Sequence, residues 1–168
     1  AVEFNRSKGM ERFYGPMNPS TNDEVGFLLE GFDTAPFIMM TYTPKYYLDL
    51  AERFGFKKAK DLYAYYIDMK DAPFNYLERL ALLIKKRLKG LVVRPLNLKD
   101  FKHELVRIKE VYNAAWSKNW GFVPMTDEEF DDMAKRLKSL VVPELILMAE
   151  LNGDLVGISI GVPDYNEV

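Results

Sequence analysis

The sequence feature that most limits the possible folds is a hairpin signal near the end of the chain. Residues 145–150 and 155–160 are two short apolar runs, and Asn152-Gly153 lies between them. Asn-Gly is the dipeptide that best fits the tight turn between two antiparallel strands. The pattern therefore predicts an antiparallel hairpin, and a further strand is predicted at residues 91–94.

Helices are predicted where apolar residues recur at helical spacing next to residues typical of helix ends. Thr126 and Glu129 have the spacing of a capping box, in which each residue bonds the backbone of the other. Thr43 is expected to cap a second helix, because Pro44 would take its favoured first position there. Further helices are predicted over residues 1–8, over residues 76–89, and after Asn97 or Asp100 as the cap.

The first half of the chain also contains short runs that favour β-strands, at residues 12–14, 25–29, 37–40 and 60–67. Together with the hairpin, these runs predict a mixed α+β (α/β) protein with a largely antiparallel sheet flanked by helices. The composition changes at residues 68–73, which is the best domain boundary. The predicted segments are therefore 1–70, a connecting amphipathic helix at 71–90, and 91–168.

Both ends of the chain are expected to be truncated. No helix cap precedes residue 1, and nothing after Pro163 covers the edge of the predicted hairpin. Neither end carries a secretory or transit signal. The sequence is therefore expected to be a segment of a longer cytoplasmic protein.

Several function classes are disfavoured by composition. The chain has no Cys and a single His, which excludes thiolate chemistry and leaves no predicted metal site. The formal net charge is −2, which disfavours a nucleic-acid partner because phosphate binding needs a basic excess. No apolar run approaches the roughly 20 residues of a membrane span, so no membrane partner is predicted. The two common nucleotide-binding glycine motifs are absent.

Three distinctive strings carry a resemblance to a known family. They are GPMNPSTND at residues 15–23, KDLYAY at residues 60–65, and YNAAW followed by NWGFVPM at residues 112–125. With the order of predicted elements, residues 15–65 resemble the C-terminal half of a GNAT-type N-acyltransferase domain. Residues 92–130, continuing through residues 145–164, resemble the N-terminal half of a second one, so the chain resembles bacterial proteins with tandem GNAT-like domains.

The resemblance implies transfer of an acyl group from acetyl-CoA or another acyl-CoA to an amine acceptor of unknown identity. In such enzymes a backbone N–H on a bulged strand polarises the thioester carbonyl. A glycine-rich turn at a helix N-terminus holds the pyrophosphate. A base removes the amine proton, and commonly a Tyr protonates the leaving thiolate. By resemblance Tyr47 is the catalytic candidate. Asn18, Asn22, Glu24 and Tyr42 are acceptor-pocket candidates because they are polar residues beside predicted strand ends.

The chain departs from the family pattern at three points. The pyrophosphate turn would precede residue 1 or follow residue 168, so no cofactor-binding residue is assigned. Where the family often has a Tyr and an Asn, this sequence has Ala51 and Pro44. The isolated chain is therefore expected to be an inactive fragment of an acyltransferase. The alternative is a non-catalytic GNAT-like binding or scaffold module. The two halves could also close into one circularly permuted sheet, and the oligomeric state is left open.

Overall fold

The computed structural model describes residues 1–18 and 20–166. Residues 19, 167 and 168, which fall within the predicted segments 1–70 and 91–168, lie outside this description. The elements are helices α1 Val2–Ser7, α2 Tyr46–Phe54, α3 Phe74–Arg87, α4 Phe101–Trp116 and α5 Asp127–Leu137, and strands β1 Leu91–Pro95, β2 Ile146–Leu151 and β3 Asp154–Ile160. These elements confirm the predicted mixed α+β class.

The chain divides into two compact units. The first unit consists of Ala1–Leu62, Trp120–Val123 and the described part of Asp164–Val168. The second unit consists of Tyr63–Asn119 and Pro124–Pro163. The predicted segments 1–70, 71–90 and 91–168 rest on the composition and order of elements instead, and they stay a prediction.

The sheet of the second unit is antiparallel, with the strand order β1-β2-β3. Leu151 pairs with Asp154 across the hairpin turn. Both turn residues have positive φ, 54° at Asn152 and 97° at Gly153. Asn and Gly tolerate this region best, and the resulting turn matches the twist of the two strands. The hairpin prediction is confirmed.

The core of the second unit lies between one face of this sheet and the two helices α4 and α5. Met148 of β2 is fully buried, and Ile108 of α4 and Phe130 of α5 pack in the same cluster. Successive strand residues point to opposite faces, so neighbouring Leu147 is 40% exposed. The sheet is thus covered on one face by the helices of its own unit.

The helix starts of the second unit follow the sequence signals in part. Thr126 and Glu129 form the predicted capping box at the start of α5. Asn97 does cap, but its side chain bonds Lys99 N at a short 3-10 turn before α4. Asp100 directly precedes α4 without a side-chain cap bond. The chain therefore enters α4 through a 3-10 turn that the sequence signals did not distinguish.

In the first unit the predicted helix over residues 1–8 is confirmed as α1. The predicted cap of α2 is wrong, because Thr43 Oγ1 accepts a hydrogen bond from Leu28 N, 3.0 Å away. The helix instead begins at Tyr46, after a turn in which Tyr47 N bonds the Pro44 carbonyl. A hydroxyl that could have capped the helix is thus used to hold a distant segment.

The predicted strands at residues 12–14, 25–29, 37–40 and 60–67 are wrong. In these ranges the structure shows extended or turn backbone, with a single isolated bridge between Met17 and Val25. A strand needs a neighbour to complete its ladder of hydrogen bonds, and β-forming side chains alone do not provide one. The described sheet contains only the strands β1, β2 and β3, and the alternative of one permuted sheet stays a prediction.

Candidate functional site

The first unit contains a cavity of about 430 Å³. Helix α2 forms one wall with Leu48, Ala51 and Glu52. These residues recur at helical spacing, so they lie on one side of the helix. The other walls come from five stretches of the first unit, namely Phe13 to Met17, Val25 to Phe27 with Leu29, Phe56 to Lys60, Leu62, and Trp120.

Several residues that line the cavity contact one another. Where α2 ends at Gly55, Phe56 N bonds the Ala51 carbonyl, which folds the chain back along the helix. The ring of Phe56 then lies 5.7 Å from that of Phe13. Trp120 meets Tyr14 edge to face at 6.0 Å. The lining is mainly apolar and aromatic, which is typical of sites for small ligands.

Charged side chains line one part of this cavity. Glu52 follows Ala51 on α2, and Lys57, Lys58 and Lys60 follow the helix end. Lys58 forms an ion pair with Asp61 at 3.0 Å. The cavity therefore combines an apolar lining with a mainly cationic border.

Three of the predicted acceptor residues lie in one loop. Asn18 N donates to the Glu24 carbonyl at 3.1 Å, next to the Met17–Val25 bridge, and both side chains are exposed. The Asn22 side chain donates to the Val123 carbonyl at 2.9 Å. The structure thus brings Asn18, Asn22 and Glu24 together in a loop, but they are not among the described residues that line the cavity.

The two predicted tyrosines lie apart from that loop. Tyr42 donates its hydroxyl proton to the Phe32 carbonyl at 2.9 Å. Tyr47 lies on α2, one turn before Ala51, and its ring meets Phe27 edge to face at 6.4 Å. Tyr47 is not among the described residues that line the cavity, but it contacts Phe27, which lines it. Its catalytic role stays a prediction.

The sequence reasoning did not find this cavity. The cluster Lys57, Lys58 and Lys60 directly after an amphipathic helix is a local signal that could have been used. In the sequence Ala51 is only a departure from the family pattern, whereas in the structure its short side chain lies at the cavity wall. Trp120 has no such signal, because its place in the first unit follows from the tertiary fold alone.

A charged network in the second unit was also missed. Arg94 of β1 bonds both carboxylate oxygens of Glu104 on α4, at 2.7 and 2.8 Å, and also Glu150 of β2 at 2.7 Å. Arg107 of α4 bonds Glu150 at 2.6 Å and the Gly153 carbonyl at 2.9 Å. The four side chains link α4 to two strands and to the hairpin turn. Since they satisfy one another, we assign the network a structural role.

The network shifts the ionisation of its carboxyls. The hydrogen bonds from Arg94 hold the pKa of Glu104 below its ordinary value, although burial opposes this. Arg94 first and Arg107 second lower the pKa of Glu150 in the same way. The two carboxylates in turn raise the pKa of Arg94.

The network predicts a specific acid sensitivity of the second unit. A carboxyl with a lowered folded pKa stabilises the fold above its unfolded pKa, about 4.3 for Glu, and loses that contribution as the pH falls further. We expect the free energy of unfolding to drop from about pH 5 to about pH 3, with a weaker dependence in Glu104→Gln. Urea denaturation at a series of pH values measures this. Glu110→Gln, exposed on the same helix, is the control, and an unchanged dependence in Glu104→Gln would contradict the assignment.

The described part of the chain contains neither a metal-binding cluster nor a helix suited to span a membrane. In residues 1–18 and 20–166 no group of three or more His, Asp or Glu side chains is placed to hold a metal ion. The single histidine, His103, is exposed, and its Nδ1 lies 3.2 Å from Oδ2 of Asp100. No helix in the same residues is long and apolar enough to cross a bilayer.

Comparison with known proteins gives two similar sequences. The chain is 37% identical over 169 aligned residues to a bacterial ceramide synthase of Caulobacter vibrioides, which covers 99% of this chain and 43% of that protein. It is 35% identical over 162 residues to Protein YghO of Escherichia coli, with 96% of this chain and 41% of that protein covered. The chain thus spans less than half the length of either relative. No protein-family profile and no solved structure matches it.

Proposed function

We propose that this protein is part of an N-acyltransferase that joins a fatty acyl group to the amine of a long-chain amino alcohol. The observation that carries the proposal is the 37% identity, over 99% of the chain, to a protein named ceramide synthase. A ceramide is the amide of a fatty acid with such an amino alcohol. The resemblance of the sequence to tandem GNAT-like domains supports the same chemistry, with acyl-CoA as the donor.

The structural support comes from the first-unit cavity. A lipid-sized substrate needs an apolar surface that is shielded from water, because each buried methylene contributes about 0.8 kcal/mol to binding. Phe13, Phe27 and Leu48 are among the side chains that provide such a surface. The residues present therefore fit the acyl part of the donor.

The reaction makes defined demands on the residues of the site. When bound, acyl-CoA supplies a thioester whose C–S bond breaks as the amine forms the amide C–N bond. The amine proton passes to a base, and the leaving sulfur takes a proton from an acid. We assign the acid to Tyr47, whose ring is held against Phe27 of the cavity wall while it stays 40% exposed.

The proposal is tested by an amide-forming assay. The protein in its natural full length is incubated with hexadecanoyl-CoA and sphinganine, and the N-acyl product is followed by mass spectrometry. We expect amide formation that requires both substrates. Binding of hexadecanoyl-CoA without any transfer would instead support the alternative of a non-catalytic GNAT-like binding module.

Tyr47→Phe is expected to lower the turnover of this reaction by about 100-fold, because it removes a general acid and keeps the ring. The matched control is Tyr46→Phe, since Tyr46 precedes it on the same helix with its ring 4.9 Å from that of Tyr47. Turnover in both variants is measured with the same two substrates. A Tyr47→Phe enzyme as fast as Tyr46→Phe would remove Tyr47 from the mechanism without affecting the proposed reaction.

A further inference from the structure

The first-unit cavity has the dimensions and lining of a site for an alkyl chain. Its volume of about 430 Å³ lies within the range of about 300 to 1,000 Å³ that is usual for ligand sites. Three side chains of its walls, Met17, Phe27 and Leu48, are flexible or flat apolar groups that can follow a linear chain. Ala51 contributes only a methyl group, which leaves room along the face of α2 that lines the cavity.

The charges at its border favour an anionic end group. Lys58 is partly neutralised by Asp61. Within the described residues Lys57 and Lys60 make no ion pair, and both are exposed at the border of the cavity. Glu52 is the carboxylate of the lining and opposes them. Two unpaired lysines against one glutamate leave a positive excess at the point where a bound chain would reach water.

We propose that this cavity binds the alkyl chain of a fatty acyl group, with Lys57 and Lys60 beside the anionic part of the same molecule. This inference rests on the proposed function and assigns the cavity to the acyl donor rather than to the amine acceptor. The anion is either the carboxylate of a free fatty acid or the phosphate groups of an acyl thioester. Both kinds of molecule have an alkyl chain with a negatively charged group at one end.

The first measurement is direct binding and needs no catalysis. A fluorescent fatty acid, cis-parinaric acid, is bound to the protein and displaced by hexadecanoate, hexadecanoyl-CoA, hexadecanol or hexadecylamine, each below its micelle concentration. We expect both anionic ligands to displace the probe at lower concentration than hexadecylamine. Shortening the fatty acid should weaken binding by about fourfold for each methylene that leaves the cavity. The stronger of the two anionic ligands identifies the source.

Substitutions separate the chain site from the charge site. Lys57→Ala/Lys60→Ala is expected to weaken hexadecanoate binding by about fivefold, as for two exposed ion pairs, and to leave hexadecanol binding unchanged. Lys85→Ala/Lys86→Ala, on exposed α3 of the second unit, removes the same charge elsewhere and is the control. Ala51→Trp fills the cavity and should abolish binding of all four ligands. The lysines are exposed, so replacing them should not unfold the protein. The double variant Lys57→Ala/Lys60→Ala therefore tests the proposal even if Ala51→Trp fails to fold.

Three results would overturn the proposal. The first is an unchanged affinity for hexadecanoate in Lys57→Ala/Lys60→Ala. The second is an equal loss of hexadecanoate affinity in the control Lys85→Ala/Lys86→Ala. The third is that hexadecylamine binds more tightly than hexadecanoate and that Glu52→Gln removes this preference. If one of these binding results occurs but the protein still forms the amide, the proposed function is kept and the acyl chain binds outside this cavity. Conversely, the expected binding pattern without amide formation would keep the site and reject the proposed reaction.

Discussion

Replacing Met148 by alanine is expected to lower the free energy of unfolding of the second unit by about 2 to 5 kcal/mol. Met148 is fully buried at the centre of the cluster that joins β2 to Ile108 and Phe130. The substitution removes three heavy atoms of side chain and leaves a cavity that the strand and both helices cannot close without moving. The lost transfer energy and the cavity therefore add. Urea denaturation, followed by the circular dichroism of the protein, measures the change.

The neighbouring residue supplies a matched control. Leu147 lies on the same strand but on the other face, where it is 40% exposed. Leu147→Ala removes a similar amount of side chain and is expected to cost less than about 1 kcal/mol, since less apolar area returns to water. Equal costs at the two positions would mean that the two faces of β2 do not differ in burial as the structure describes.

Arg94→Ala is expected to cost the second unit about 3 to 5 kcal/mol, because it removes one partner of a buried ion pair. The Glu104 side chain is only 4% exposed, and it would lose the two short hydrogen bonds that Arg94 donates. Glu150 would keep its bond to Arg107. Glu104 would keep only the longer ion pair with Arg107, at 3.7 Å, so its weakly compensated charge is the main source of the loss. Denaturation in urea at neutral pH measures it.

Two comparisons distinguish this effect from a general cost of losing arginine. Arg136→Ala breaks an exposed pair with Asp132 at 3.7 Å, where both side chains are well exposed, and should cost no more than about 0.5 kcal/mol. Adding Glu104→Gln to Arg94→Ala should recover part of the stability, since it removes a buried charge that only Arg107, 3.7 Å away, still compensates. If Arg94→Ala cost no more than Arg136→Ala, the network would carry no structural role.

The parts of the fold that the sequence predicted correctly depend on residues close together in the chain. The capping box needs Thr126 and Glu129, three positions apart, and the hairpin turn needs Asn152 and Gly153 side by side. Their geometry is fixed by the local backbone, because each residue bonds or tolerates a conformation within one turn. Such signals predict helix starts and tight turns without any knowledge of the remaining chain.

The errors concern segments whose structure depends on distant partners. Residues 60–67 have the side chains of a strand, but they belong to no strand of the described sheet. Thr43 has the residue type and position of a helix cap, but its hydroxyl bonds Leu28, 15 residues away. In the first case the segment joins no strand of the described sheet, and in the second a contact from a distant residue uses the hydroxyl. Neither outcome can be read from the local residue preference. Local propensity alone therefore overestimates the strand content of residues 12–67.

The candidate site divides in the same way. Tyr47 is a candidate by resemblance, because it lies one turn from Ala51, where the family often has a Tyr. In the structure its ring contacts that of Phe27, which lines the cavity. Asn18, Asn22 and Glu24 could be recognised as loop residues, and they do share one loop. Their chemical roles stay predictions, because residue type and position do not specify what a side chain contacts when substrate is bound.

The sequence by itself determined the mixed α+β class, the hairpin and several helix ends, because those features arise from hydrophobic periodicity and from bonds within a few residues. Only the tertiary structure decided where the cavity lies and which charges converge. Trp120 joins the lining from a distant part of the chain, and Arg94 reaches Glu150 across 56 positions. Such contacts form when packed elements bring remote residues together, so their free energy depends on the whole arrangement and leaves no periodic pattern in the sequence.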